Sequence, residues 1–420
     1  MDFHITKETV LPMKVETFVG TILSKMSDIT KCQLKFIPHL MRLFLSIRGR
    51  LNYLNLGRHG EYSEQSFRLN YEKGFDFKTY NTELIQTYCG DELIWIFDPS
   101  YLAKSGKHTP GAGYFWSGCA GAMKWGLELS ALSIGDIDNH TALHYHATQT
   151  QAIKGEESLL TYYANLLVEQ AKELQKLSKF LAVDAFFSKK PFVDSICGAG
   201  FTLVSRLQNN IYMRYAYIAP TGEKQKKRGR PQVYDGKIDA KNVSLDHFSL
   251  VQSDENARIY EGIAHVRCLK RWGKVVIVHY LKEDGTVRNV SIYYCSDKEI
   301  DGLKVYQYYR LRYQIEFLFR DAKGYLGLEH SQSRQEKAID FHCNMALTTL
   351  NTVKAMHWFD KPKEERPPFS MADIKTQYVN ELLLDRLIII YGKDPIVEKN
   401  NPVIKYNAPH SLDKKLKKLS

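Results

Sequence analysis

The feature that most constrains the fold is an alternation of strand-like and helix-like segments that begins near residue 91. Short apolar runs bounded by turn residues are typical of strands, and longer runs with apolar residues three and four positions apart are typical of helices. In chain order we expect strands at 93–97, 114–118 and 124–134, a helix at 157–178, a strand at 180–183, a helix at 191–197 and a strand at 201–207. This order predicts an α/β protein with a mixed sheet flanked by helices.

A long connection follows the last of these strands. Glu316, in the next informative helix, comes 132 positions after Asp184, which is too far for a connection inside one compact core. We therefore expect an insertion bounded near Leu207 and Asp301. Its strand-like runs, at 212–218, 264–269, 274–280 and 287–294, predict a β-rich unit.

Both ends of the chain are predicted to be helical. Apolar residues recur at helical spacing from 15 to 48, and the segment 51–68 predicts a helix, a glycine turn and a second helix capped by Ser63. That pair is either a helix-turn-helix that contacts DNA or two packed helices with no DNA contact. Helices are also expected at 336–358 and 371–391, followed by a basic tail at 414–418.

Two aspartates follow apolar runs of the predicted sheet. Asp98 comes directly after 93–97, and Asp184 comes directly after 180–183. Open α/β sheets usually build their sites at the carboxyl ends of strands, although each aspartate taken alone is better explained as a turn or cap residue. The competing acids are Asp136, Asp138, Asp194 and Asp321.

Four polar residues recur at helical spacing in the segment 308–325. Tyr309, Arg312, Glu316 and Lys323 stand at offsets of 0, 3, 7 and 14. At about 100° per residue they share an arc of about 60° on a continuous helix, whereas Asp321 is about 140° from Glu316 and should point elsewhere. The plain alternative is an exposed Arg312–Glu316 pair of the common i, i+4 kind.

The charge balance favours a polyanionic partner. The chain has 58 basic and 47 acidic side chains, a net charge of +11, and a pI near 9.0. Lys104 and Lys107 follow Asp98 and either extend a phosphate track or belong to a solvated loop.

The predicted insertion contains two further candidates for DNA contacts. The run 224–231 includes Lys227, Arg228 and Arg230, and its Arg-Gly-Arg-Pro core resembles an AT-hook that enters a narrow minor groove. Trp272 has basic neighbours on both sides and could stack on an extruded base, although a core or turn tryptophan is the more common case.

The cysteines argue against a disulfide framework or a zinc ribbon. The seven of them are scattered and never form a Cys-x-x-Cys pair. The first residues show neither a signal peptide nor a lipidation motif, and no apolar run approaches the ~20 residues that span a bilayer. We therefore expect a soluble, intracellular protein without membrane partners.

The pattern Tyr-x2-Arg-x3-Glu-x6-Lys at 309–323, together with Asp98 and Asp184 after apolar runs, resembles the motif of the IS4-type DDE transposases. The resemblance covers most of the chain from about 91 to about 358. It implies a ribonuclease-H-like core in which Asp98, Asp184 and Glu316 are catalytic and hold two Mg²⁺ ions, with Mn²⁺ as an alternative. Carboxylates suit such hard cations, which act on both oxygens of a phosphoryl displacement.

The resemblance also implies partners and a reaction. Tyr309, Arg312 and Lys323 would contact the phosphates of double-stranded DNA, which comprises the terminal inverted repeats of an insertion sequence and the target. A homodimer would pair two ends in the bacterial cytoplasm, in association with the nucleoid. The reaction would be cut-and-paste transposition. Alternatives are a non-transposing metal-dependent DNA nuclease, a catalytically silent DNA-binding descendant and, more distantly, a paired-carboxylate glycosidase.

These inferences divide the chain into five parts. Residues 1–88 are a helical DNA-binding region, 89–207 are the first part of the catalytic core, and 208–300 are the β-rich insertion domain. Residues 301–358 complete the core, and 359–420 are a helical region with the basic tail.

Overall fold

The computed structural model describes residues 14–106, 108–151, 158–219 and 231–391. Its amino-terminal part is helical, as the apolar spacing predicted. Thr30, Asn52 and Ser63 begin helices as N-cap residues, each side chain accepting a hydrogen bond from a main-chain N–H three residues further on. These helices are α1 (Val15–Leu23), α2 (Lys31–Ser46), α3 (Tyr53–His59), α4 (Glu64–Lys73) and α5 (Phe77–Tyr88). The pair α3 and α4 is the predicted helix, turn and helix, and its contact with DNA stays a prediction.

The described residues form a twelve-stranded mixed sheet, which confirms the predicted α/β architecture. The strands are β1 (Leu93–Ala103), β2 (Gly113–Ser117), β3 (Ala122–Asp136), β4 (Thr141–Gln149), β5 (Phe180–Val183), β6 (Thr202–Leu207), β7 (Met213–Ala216), β8 (Tyr234–Lys237), β9 (Phe248–Ser253), β10 (Ala257–Val266), β11 (Arg271–Leu281) and β12 (Val287–Cys295). Their order is β2-β3-β1-β5-β6-β12-β11-β10-β7-β8, with β4 on β3 and β9 on β10. Strands β1, β5 and β6 are parallel, and the other pairings are antiparallel.

Helices cover both faces of this sheet. They include α6 (Leu159–Val168), α7 (Ala171–Leu174), α8 (Lys190–Gly198), α9 (Gly302–Leu311), α10 (Gln314–Tyr325) and α11 (Glu336–Lys354). The last helix, α12 (Met371–Tyr391), packs on α2. The single helix expected at 157–178 is divided between α6 and α7 at Gln170, whose amide donates to the carbonyl of Leu166 and accepts from Lys78. Among the described helices, none combines the length and apolarity needed to cross a lipid bilayer.

Strand β4 has no counterpart in the sequence prediction because several of its buried residues are polar. His144 and Gln149 are fully buried. Asn344 and Asn351 of α11 bond the main chain of β4, and Asn344 also bonds the His144 ring. Buried polar groups are tolerated when their partners are supplied in this way. The strand therefore depends on a helix about 200 residues away in the chain.

The strands between 208 and 300 continue the same sheet. Strand β12 pairs antiparallel with β6, which sets Tyr293 opposite Arg206 and Cys295 opposite Val204. The hydrogen-bonded ladder thus passes from the predicted core into the predicted insertion without a gap. The division into domains stays a prediction.

Helices α9 and α10 lie on the sheet face that carries Ile96 and Ala131, whereas α6 and α8 lie on the opposite face with Trp95 and Phe97. Close packing at Gly135 brings the end of α9 against β3. A Cβ at Gly135 would lie 2.6 Å from Cδ2 of Leu311 and 2.9 Å from Cδ1 of Ile96.

We expect Gly135→Ala to lower the free energy of unfolding by about 1–2 kcal/mol, because the added methyl forces Leu311 or Ile96 out of place. Urea denaturation would measure this effect. The matched control is Gly118→Ala, since a Cβ there meets no heavy atom within 4 Å. Equal stability of the two variants would contradict the close packing of α9 on β3.

Candidate active site

Asp98 and Asp184 are brought together by the register of two parallel strands. Strand β1 pairs with β5 so that Ile96 is opposite Ala182, and two residues further along each chain stand Asp98 and Asp184. Strand β1 itself does not end at Asp98, as the apolar run suggested, but continues along β3 to Ala103. Asp184 does follow the end of β5 and accepts a hydrogen bond from the N–H of Ala185. The two carboxylates interact electrostatically.

The segment 309–323 is not the continuous helix that the spacing predicted. Helix α9 ends at Leu311, and α10 begins at Gln314. The backbone between them keeps right-handed helical angles, but its hydrogen bonds run from residue i+3 to residue i, as from Arg312 N–H to the carbonyl of Tyr309. A short 3₁₀-like turn of this kind tightens a helix without ending its course. The polar side chains still reach β1 and β5.

Arg312 lies between two carboxylates of the cluster. Its Nη1 is 3.4 Å from Oδ2 of Asp98, and its Nη2 is 2.8 Å from Oε1 of Glu316. Only 12% of the Arg312 side chain is exposed, against 22% for Asp98 and 39% for Glu316. The pair with Glu316 is therefore not the exposed surface pair of the plain alternative. Within the described residues, the buried Nε of Arg312 finds no acceptor.

Burial controls the charge of Asp98. Loss of solvation raises the pKa of Asp98 to about 7, opposed by the nearby guanidinium of Arg312 and reinforced by the negative charges of Asp184 and Glu316. A cation placed among these three groups would favour their charged forms. Asp98 is thus an acid whose protonation state changes near neutral pH.

Tyr309 and two residues that the sequence analysis missed complete the cluster on the β6 side. The Tyr309 hydroxyl donates to Oδ1 of Asp184 at 3.4 Å, and burial raises the Tyr309 pKa to about 12. Its ring lies 4.8 Å from that of Tyr293. Arg206 lies close enough to influence the pKa of both tyrosines. Arg206 could have been predicted, because alternation along β6 places it on the same sheet face as Val204. The pairing of Tyr293 with Arg206 had no signal in the sequence.

The two lysines beside the cluster are already bonded to the protein. Lys323 donates to the carbonyl of Tyr101 at 2.7 Å and to the Ser100 hydroxyl at 3.2 Å. Lys104 donates to the carbonyls of Glu329 and Ser331. Burial lowers the pKa of both amines. Lys104 therefore fastens the loop after α10 to the end of β1, and its contact with a DNA phosphate stays a prediction.

Trp272 lies away from the carboxylates. The strand registers align Lys274 of β11 with Ala182 of β5. Trp272 is therefore offset from Asp184 by four residues along the strand direction and by three strands across the sheet. Strand geometry puts the Cα atoms of the two residues about 20 Å apart. Its ring stacks on Tyr234 at 5.6 Å. Contact between Trp272 and DNA at the cluster is not supported by this position, and Lys107, Lys227, Arg228 and Arg230 lie outside the described residues.

The competing acids have structural partners elsewhere. Asp136 accepts from the Gly90 N–H, and Asp138 accepts from the Glu92 N–H. Asp321 points away from Glu316, as its helical position predicted, and pairs with the neighbouring Arg320. Asp194 is paired with Lys190 and Arg271.

A further acid, Glu128 of β3, is buried on the opposite face of the sheet and was not predicted. It accepts a hydrogen bond from the Tyr163 hydroxyl, and burial raises its pKa. Its charge also influences Asp98. Alternation along β3 does not indicate Glu128, because both faces of the strand are buried there.

The donor atoms of the cluster fit a hard divalent cation, since Asp98, Asp184 and Glu316 all offer carboxylate oxygens. Across the part of the chain that the structure describes, no three acidic, histidine or cysteine side chains stand ready to hold a metal ion as they are. Arg312 is the group that contacts both Asp98 and Glu316. A cation held by these acids would therefore compete with the guanidinium for their oxygens.

One comparison with known proteins identifies a family. A family model described as a transposase DDE domain matches residues 137–352, which is half of the chain. The match contains Asp184, Glu316 and Arg312, and it begins after Asp98. A comparison with curated proteins finds no match.

Proposed function

The chain belongs to the transposase DDE domain family, and from this premise we propose that it is a cut-and-paste DNA transposase of the IS4 type with a ribonuclease-H-like core. The observation that carries the proposal is the meeting of Asp98, Asp184 and Glu316 around Arg312 on one face of the sheet. The succession of β1 to β4, helices, β5, α8 and β6 supports the fold assignment.

The three carboxylates are assigned to the binding of two Mg²⁺ ions, for which Mn²⁺ is an alternative. When bound, these ions supply activation of an attacking oxygen and stabilisation of a leaving oxygen. Hydrolysis of a phosphodiester bond frees a 3′-hydroxyl at the end of the element. In transesterification that hydroxyl then attacks a phosphodiester of the target strand, and the new P–O bond forms as the bond to the target's own 3′-oxygen breaks and leaves a free 3′-hydroxyl on the target.

Arg312, Tyr309 and Arg206 are assigned to the DNA phosphates. Arg312 has one buried N–H without an acceptor among the described residues, and its release from Asp98 and Glu316 would free further donors in a forked arrangement that suits phosphate. Tyr309 and Arg206 flank Asp184 and could hold the neighbouring phosphate. Lys323 can contact a DNA phosphate only if its amine gives up its hydrogen bonds to Ser100 and Tyr101 of β1.

The remaining assignments follow from the family. Residues 1–88 are proposed to recognise the terminal inverted repeats, with α3 and α4 as the reading element. A homodimer is proposed to pair two ends before cleavage, in the bacterial cytoplasm on nucleoid DNA. The net charge of +11 supports binding to a polyanion.

The deciding experiment uses the terminal repeats of the element that encodes the protein. Incubation with intact repeats and Mg²⁺ should give nicks at the repeat ends, and omission of Mg²⁺ should prevent them. Pre-cleaved ends mixed with a target plasmid should then be joined to it. Nicking without joining would indicate a metal-dependent nuclease, and repeat binding without nicking would indicate a silent DNA-binding descendant.

A further inference from the structure

The hairpin formed by β2 and β3 exposes large apolar side chains that the proposed chemistry does not use. Tyr114 is 68% exposed, Trp116 is 59% exposed, and Met123 is 55% exposed. On β2, Phe115 and Ser117 alternate with the exposed aromatic residues and are buried. One face of the hairpin is therefore packed, and the other presents aromatic rings to solvent. Exposed apolar clusters of this kind mark binding surfaces.

This aromatic face is the face that carries the carboxylates. Trp116 is paired with Met123, and Tyr114 is paired with Trp125. Strand β3 pairs with β1 without a register shift, so that positions 123 and 125 share a face with Ala131, the residue opposite Asp98. The hairpin also continues from the carboxyl end of β1. The aromatic face consequently lies on the same side and at the same edge of the sheet as the cluster.

The hairpin also comes close to α10. Burial lowers the pKa of Lys323, while Glu329 and Cys119, the latter in the turn of the hairpin, act in the opposite direction. Cys119 must therefore lie within electrostatic range of Lys323. Gly126, which is paired with Gly113 at the base of the hairpin, allows close approach of the backbone there, since a Cβ at Gly126 would meet the carbonyl of Leu102.

We propose that the aromatic face of the β2–β3 hairpin, formed by Tyr114, Trp116 and Met123, binds unpaired nucleobases of the DNA strand that enters the carboxylate cluster. The inference rests on the proposed function and adds a second binding site to it. Residues two apart on a strand are about 6.8 Å apart, which equals two intervals of the ~3.4 Å spacing between successive bases. One base can therefore stack between the rings of Tyr114 and Trp116. Aromatic stacking is independent of sequence, because every base has a π-face.

A second copy of the chain is the competing occupant, since β2 is an edge strand of the sheet. Two observations favour DNA. The exposed residues are mainly aromatic, and they lie on the sheet face that carries the cluster, with Cys119 of the hairpin turn within electrostatic range of Lys323. The position of Lys323 beside the turn of the hairpin adds a cation next to the path of the strand.

The test compares two DNA probes in EDTA, so that no strand is cut. One is a blunt duplex, and the other is the same duplex with a single-stranded extension that carries 2-aminopurine, whose fluorescence falls when it stacks. We expect the wild-type protein to quench the extension. We expect Trp116→Ala to lose the quench and to bind the extended duplex about tenfold more weakly, with blunt-duplex binding unchanged.

The controls are Trp116→Phe, which keeps a stacking ring and should keep the quench, and Leu245→Ala, which removes an apolar side chain that is 69% exposed outside the hairpin. An undiminished quench with Trp116→Ala would overturn the proposal. So would blunt-duplex binding by the wild type without any quench, in which case the proposed function stands. Failure of the wild type to bind either probe would remove the proposed function as well. A change in sedimentation of Trp116→Ala with an unchanged quench would assign the surface to a second copy.

Discussion

Glu316→Gln is expected to abolish Mg²⁺-dependent nicking while the protein still binds its DNA ends. Removal of one carboxylate from a divalent-cation site should forfeit several kcal/mol of transition-state stabilisation, which is at least about 10³-fold in rate. Folding should survive, because the side chain is 39% exposed and the Gln oxygen can still accept from Arg312. Gel-based nicking of the terminal repeats and a binding titration would measure the two effects.

The matched control for this variant is Glu329→Gln. Glu329 is 37% exposed, lies 3.8 Å from Lys323, and does not contact Arg312. It should keep nicking within a few fold of the wild type, since no metal role is assigned to it. Nicking at the wild-type rate by Glu316→Gln would remove the acid from the proposed mechanism, and loss of nicking in both variants would show only that this region is sensitive to charge.

The meeting of the three acids could be predicted in part from the sequence, because strand ends and helix spacing are local properties. Asp184 ends a short apolar run, and the offsets from Tyr309 to Lys323 are helical. The turn at Arg312 could not be predicted, since no glycine or proline marks it and the backbone angles stay helical. The place of Arg312 between Asp98 and Glu316 depends on how α9 and α10 lie on the sheet, which is a tertiary property.

Partners that are distant in the chain decide whether a polar side chain is buried and bonded or available to a ligand. In the sequence, the polar residues of β4 resemble those of a surface strand. In the structure they are buried, and Asn344 and Asn351 of α11 are hydrogen-bond partners of the strand. In the sequence, Lys104 resembles a free cation in a basic loop. In the structure its amine donates to the carbonyls of Glu329 and Ser331. In both cases the sequence gives the side chain but not its hydrogen-bond partner. The partner determines whether the side chain is available to a ligand.

Arg312→Gln is expected to lower the free energy of unfolding by about 3 kcal/mol at pH 8, because it leaves partly buried carboxylates without their cation. The loss should shrink as pH falls. Burial raises the pKa of Asp98 to about 7, and the charge of Arg312 acts in the opposite direction. Without Arg312, the pKa of Asp98 in the folded variant should therefore be higher still. A folded-state pKa above the unfolded one means that the folded protein binds the extra proton, and stability then falls as pH rises between those values. Urea denaturation at pH 5 and pH 8 would measure the difference.

The control for this prediction is Arg68→Gln, because Arg68 and Glu64 form an i, i+4 pair at 2.8 Å with both side chains 46% exposed. An exposed pair of that kind contributes less than about 1 kcal/mol, and its loss should depend little on pH. Arg312 and Glu316 have the same spacing and the same separation of 2.8 Å, so burial and the second carboxylate, Asp98, are what distinguish them. Equal losses from the two variants at pH 8 would mean that Arg312 is an ordinary surface cation. The cluster would then lack the internal counter-charge with which a bound metal ion would compete.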